Sequence, residues 1–251
     1  MNFEIFLACL GIFFWELYGN FVGGGSLVTQ IFLQNIIWFE IKNAIALDNA
    51  AVLWSEIGLL TMLLRKQKIE KWMWYVVIVS SFWALFGANL LHIVPTEVMK
   101  IVFTLAVFWL VIKNLFFVSQ EHKEKGFVLS RKNLMLLCVA SFFIATYNAF
   151  LSIWDFIIGL LVLTSIFHFK YHRALFLLTF GFFFARSVWT LEYLRLGLID
   201  MNFYFPMFIS AMFSGVIAGY LVEHIHSDIL NRVLKYLSVF LAWYLLLQLF
   251  I

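Results

Sequence analysis

The sequence predicts an all-α, polytopic membrane protein made of two inverted repeats, each a broken-helix hairpin followed by three transmembrane helices. Three observations carry this expectation. Of the 251 residues, 64% are apolar and only 12% are charged, against about 45–50% and 25% in an ordinary soluble domain. That much apolar surface has to be solvated by lipid. The apolar stretches are also continuous over about 20 residues or more, which excludes the short alternating strands of a membrane barrel and leaves helices to satisfy the backbone. Finally, two stretches are too long for one span, and the halves that contain them resemble each other.

The first stretch, residues 3 to 38, would be about 54 Å long as one helix at ~1.5 Å per residue, against roughly 30 Å of hydrocarbon. Its middle reads Gly19-Asn20-Phe21-Val22-Gly23-Gly24-Gly25-Ser26. Adjacent glycines cost roughly 1 kcal/mol each relative to alanine in a helix interior. The helix is therefore expected to break there and to restart at about Ser26, a good N-cap. Ordinary spans follow at 43 to 64, 72 to 94 and 99 to 118, and the polar run 119 to 133 reads as a solvated connector. The second long stretch, 134 to 167, would be about 51 Å as one helix. Thr146, Tyr147, Asn148, Ser152 and Asp155 interrupt it at a matching depth, and Asp155 reads as an N-cap of the second half-helix. Spans at 174 to 193, 203 to 222 and 231 to 250 complete the chain. The opening Met1-Asn2-Phe3-Glu4, with no basic residue before Lys42, lacks the charged start of a signal peptide, so the first segment is expected to stay in the mature protein.

The duplication shows as matched residues. At an offset of 129, Leu7, Cys9, Phe13, Phe14, Tyr18 and Phe21 meet Leu136, Cys138, Phe142, Phe143, Tyr147 and Phe150. At an offset of 132, Gly87, His92, Ile93, Leu105, Val107 and Phe108 meet Gly219, His224, Ile225, Leu237, Val239 and Phe240. The repeats are thus residues 1 to 120 and 130 to 251, fused into one membrane domain. Basic residues decide their relative orientation. If each broken segment is a hairpin, the Lys and Arg of 65 to 71, 119 to 133, 168 to 173 and 223 to 235 gather on one side, leaving only Lys42, Lys100 and Arg195 on the other. A single crossing by each segment spreads them more evenly. The positive-inside rule favours the hairpins, hence an inverted repeat with both termini outside.

Interrupted helices in inverted repeats place substrate near the bilayer midplane, against half-helix ends. The glycine turn, with Asn20, Gly23, Gly24, Gly25 and Ser26, offers free N–H groups and a positive helix end to an anion; a glycine-packed helix crossing without a ligand is the alternative. Arg186 lies inside an apolar run, where a cation costs about 2.5–3.5 kcal/mol, so it must face a partner or a cavity. Its fork suits an oxyanion, and an ion pair with Glu56, Glu16 or Asp155 is the other reading. Glu56 stands near the midplane as a candidate proton carrier, with Glu16 a second. Asp48 and Asn49 are polar positions early in the same span, serving either the substrate or the helix N-terminus, and Tyr147, Asn148 and Ser152 should line the same cavity from the other repeat.

On these residues the chain resembles the TauE/SafE sulfite exporter family, membrane permeases that move sulfite, sulfonates and other sulfur-containing anions. The resemblance covers nearly the whole chain. It rests on Gly23-Gly24-Gly25-Ser26-Leu27-Val28, on Lys68-Ile69-Glu70 after the next span, and on Gly197-Leu198-Ile199-Asp200 followed by Gly215 and Gly219. Ser152-Ile153-Trp154-Asp155 stands where the family usually repeats its glycine turn; Gln30 is near a position where proline is common; Asp48 and Asn49 replace small hydroxyl residues. The resemblance implies a multi-pass permease of the cell membrane, carrying a small sulfur-containing anion by alternating access, with coupling to a proton or another ion and self-association left open.

Other classes fit less well. Cys9 and Cys138 sit in apolar runs and make neither a disulfide framework nor a zinc site. A net charge of +3 spread over short loops suits anionic lipid rather than nucleic acid. His92, His224 and His226 lie at helix ends, where solvation is the simpler reading than metal or haem, and Trp72, Trp74 and Tyr75 beside Lys71 read as interfacial anchors. No cofactor and no catalytic residue is expected. A membrane-embedded redox or cofactor-binding protein, or a non-transporting scaffold subunit suggested by the missing second glycine turn, are the competing readings.

Overall fold

In lipid every backbone N–H and C=O has to be paired within its own segment, and the described residues answer with helices alone. The computed structural model describes residues 3–22, 25–95, 98, 130–151, 155–225 and 229. Its helices are α1 (Phe3–Val22), α2 (Gly25–Asn35), α3 (Ile41–Leu63), α4 (Met73–Ile93), α5 (Arg131–Leu151), α6 (Asp155–Leu161), which continues into a π-helical turn (Val162–Ile166), α7 (Tyr171–Arg195) and α8 (Met201–His224). Six of them, α1, α3, α4, α5, α7 and α8, are long and apolar enough to cross a membrane. The spans expected at 99 to 118 and 231 to 250 lie outside the described residues. The connector expected at 119 to 133 is described only from residue 130, and α5 takes up its last three residues.

Both long stretches divide, as their lengths require. After α1, α2 folds back along it. A Cβ on Gly25 would fall 2.3 Å from the Trp15 carbonyl oxygen and 2.9 Å from Gly19 Cα, while one on Gly11 would meet the Phe32 ring at 3.0 Å. Residues 11 and 19 thus face 32 and 25, an antiparallel register that sets the start of α1 level with Glu40. Only glycine permits this backbone approach at position 25. The second stretch behaves likewise. α5 runs in the same direction as α4, with the Trp83 and Phe142 rings 4.4 Å apart and the Thr146 carbonyl against Gly87, and the chain then returns through α6.

Two sets of contacts define the ends of the bundle. At one, Lys42 Nζ donates to the His92 carbonyl at 2.9 Å, Asn43 Nδ2 to that of Leu198 at 3.2 Å, and Phe39 packs on Phe203 at 4.9 Å. At the other, Arg173 pairs with Glu70 and donates to Gln67 Oε1 at 3.2 Å, Lys66 pairs with Glu223 at 3.5 Å, and Trp72 stacks on Phe169 at 6.1 Å. The α1–α2 hairpin opens at the first end and the α5–α6 hairpin at the second. Trp72, expected at the lipid interface, is instead buried, with its Nε1 donating to Glu70 at 2.6 Å, while Trp74 and Tyr75 are exposed. The ion-paired loop covers it.

The turn leaving each hairpin is built alike. Trp38 and His168 both take left-handed backbone, at φ 65° and 57°, uncommon for residues with a side chain. The next amide donates backwards in each, Phe39 to the Leu33 carbonyl and Phe169 to that of Leu163, both at 3.0 Å. Glu40 and Lys170 then lead into α3 and α7 with matching extended backbone. The offset is 130 residues throughout.

Candidate functional site

α3 is buried on almost every face. Its alanines at 44, 46, 50 and 51 let neighbours approach, and against α8 the contact is backbone to backbone, since a Cβ on Gly215 would fall 1.9 Å from the Ser55 carbonyl oxygen. Polar residues on such a helix cannot reach water and must find partners within the bundle. Four do so in its middle: Asp48, Asn49, Ser55 and Glu56, none more than 2% exposed.

The charged partner comes from α7. Arg186, 2% exposed, places Nε 2.7 Å from Glu56 Oε1, and its Nη1 donates to Asn49 Oδ1 at 2.9 Å. Its guanidinium carbon lies 5.8 and 5.4 Å from the ring centres of Phe182 and Trp189, so aromatic faces wall the cation. Of the three carboxylates named for Arg186, Glu56 pairs with it. The candidate anion contact and the candidate proton carrier are therefore a single unit. Tyr193, fully buried beside them and next to Asn49, donates its hydroxyl to the Ala149 carbonyl and so ties α5 to this centre.

The first hairpin attaches to the neighbouring residue of α3. Asn20 Nδ2 donates to Ser55 Oγ and to the Glu16 carbonyl, both at 2.7 Å. Glu16 is 4% exposed, and its Oε1 would stand 3.1 Å from a Cβ on Gly25. A carboxyl of the protein itself therefore lies beside the start of α2, where a helix end draws negative charge. Gln30 on α2 donates to Asp48 Oδ2 at 3.1 Å. Ser26 is buried and lies inside α2, since Gly25 before it is already helical and packs on α1, so Ser26 is not the cap residue. Asp48 and Asn49 lie two turns into α3 and pair with Gln30 and Arg186, not with the helix N-terminus. Gly23 and Gly24 lie outside the described residues.

The second hairpin contributes differently. Asn148 is fully buried, and both its amide atoms lack a hydrogen-bond partner among the described residues. Tyr147, half-buried, packs against the same core as Trp189 and Tyr193. Asp155 is the first residue of α6, not the residue before it, and Ser152 lies outside the described residues. At the offset of 130, Gln30 and Asp48 correspond to Leu160 and Leu178, both buried and apolar. Among the described residues the Gln30–Asp48 pair thus has an apolar pair 130 residues on. His92 and His224 are exposed at opposite ends of the bundle, and His226 lies outside the described residues.

A family model of the sulfite exporter TauE/SafE matches residues 7–245. The chain belongs to the TauE/SafE sulfite exporter family. No curated protein and no solved structure shows detectable similarity to it. Family membership makes this TauE/SafE chain a membrane transporter of sulfite-type anions rather than an enzyme, and its six span-length helices make it multi-pass. Gln30, Ser55 and Tyr193 are parts of the polar centre that the sequence reading did not single out. Gln30 was visible as an uncompensated amide in an apolar stretch, and Ser55 as the neighbour of Glu56. Tyr193 carries no such mark, and only the packing of α5 over it shows its role.

Proposed function

We propose that this TauE/SafE transporter carries a sulfite or sulfonate oxyanion across the cell membrane by alternating access between two inverted repeats. The observation that carries the reading is Arg186, a guanidinium 2% exposed in the middle of a lipid-embedded bundle, held between Glu56 and Asn49. A cation there is costly unless it has a task or a partner, and the family supplies a cargo that fits its fork. In this reading Asn20, Gly25 and Ser26 form the near wall of the proposed pathway and Tyr147 and Asn148 the far one, while Gly23, Gly24 and Ser152 are proposed substrate-site residues on the sequence alone. The buried, unpartnered amide of Asn148 supports that wall, since an unmade hydrogen bond costs about 1–3 kcal/mol unless a visitor takes it. Hairpins that open at opposite ends, and turns that repeat 130 residues apart, support the inverted duplication.

Flux of radiolabelled sulfite in reconstituted vesicles tests this. Arg186→Ala and Gly24→Leu are expected to abolish it while the protein still inserts. Full flux in both variants overturns the assignment.

A further inference from the structure

Both positive features of the proposed pathway are occupied by carboxyl groups of the protein itself. Glu16 lies beside the start of α2, and Glu56 holds Arg186 at 2.7 Å. The second is a closed ion pair whose two members stand 130 residues apart, at equivalent places in the two proposed repeats. Given the reading of Arg186 as the anion contact, an incoming oxyanion has to displace the Glu56 carboxylate to reach the guanidinium. A displaced carboxylate in that interior has no water to solvate it and is stable only once protonated. We propose that Glu56 is the proton site of this transporter, and that anion and proton load together, one for one, by exchange of Arg186 from Glu56 to substrate.

The surroundings favour Glu56 for this role. The titratable or charged groups near it are Asp48 on its own helix, held by Gln30, and Arg186 and Tyr193 on α7. On α1, Glu16 is one turn from Asn20, whose amide bonds Ser55. α2 has no titratable residue, and on α8 Tyr204 accepts from Trp54 while Glu223 and His224 lie at the far end. Of these, Arg186 is in direct ion-pair contact with Glu56. Carriage of a monoanion with one proton moves no net charge.

Methanesulfonate, which stays a monoanion across the working range, is the probe. For the wild-type protein in detergent the dissociation constant is expected to tighten about tenfold for each pH unit lowered near neutrality, because binding takes up one proton. In vesicles, inward flux should acidify the lumen and ignore an imposed membrane potential. Glu56→Gln should bind without pH dependence and make any flux potential-sensitive, whereas Glu16→Gln should keep the wild-type slope. A pH-independent wild-type dissociation constant, or a slope lost in Glu16→Gln and kept in Glu56→Gln, overturns the proposal and leaves the anion site standing. Binding undiminished in Arg186→Gln, or no binding by the wild type, overturns the site itself. The wild-type pH series and proton count decide the matter even if Glu56→Gln does not fold.

Discussion

Arg186 and Glu56 show how little a pair's burial says about its use. Removing one partner of a buried ion pair typically costs 3–5 kcal/mol, about, because the other charge is left uncompensated, whereas removing both can be nearly neutral. Arg186→Gln alone is therefore expected to lower stability by roughly that amount, and Glu56→Gln with Arg186→Gln to recover most of it. Thermal unfolding of the two single variants and the double variant in detergent measures the coupling, and simple additivity would show that the pair does not act as a unit. Gln30 presents a smaller case of the same physics. Gln30→Leu, which copies the apolar residue 130 positions on, strips a hydrogen bond from buried Asp48, and a loss of about 1–3 kcal/mol is expected in the same measurement. Of these residues the sequence made Arg186, Glu56 and Asn49 legible, since a charge or an amide in an apolar run demands an explanation. Their pairing was not legible, because three carboxylates were candidates in the sequence, and the packing of α7 on α3 is what brings Glu56 to Arg186.

At the scale of elements, α3 is the axle of the bundle, and glycine sets how closely its neighbours approach. Gly215 on α8 touches the Ser55 carbonyl and Gly58 on α3 faces the Met212 carbonyl at 2.5 Å from a built Cβ. Gly215→Leu is expected to push α8 away and disturb Ser55 and Glu56 together, with loss of flux and a lowered unfolding temperature; unchanged melting would show the contact to be slack. The breaks in the two long stretches were legible from length alone, for neither could fit the hydrocarbon as one helix. The place of Ser26 was not. Capping preference made it the cap, whereas Gly25 before it, packed on α1, is already helical. The π-helical turn at Val162–Ile166 carries no sequence mark of its own.

Over the whole molecule, the ends of the bundle carry different chemistry. Arg173, Glu70, Lys66 and Glu223 crowd one end, and that end is expected to face the cytoplasm. With Cys9 and Cys138 replaced by alanine, cysteines placed at Lys68 and Lys170 should react with an impermeant maleimide only from the cytoplasmic side, and one at Arg195 only from outside. Labelling of 68 and 170 from opposite sides would refute the hairpin arrangement. The sequence by itself determined that this chain lives in lipid, that it is helical, where its long stretches must divide and which family it resembles, because those follow from hydrophobic length, backbone satisfaction and short motifs, all local properties. Only the tertiary structure decided that Glu56 holds Arg186 and that Gln30 reaches Asp48. Those depend on which faces of distant helices meet, and a helix buried on nearly every face, as α3 and α7 are, has no polar stripe that announces its orientation in advance.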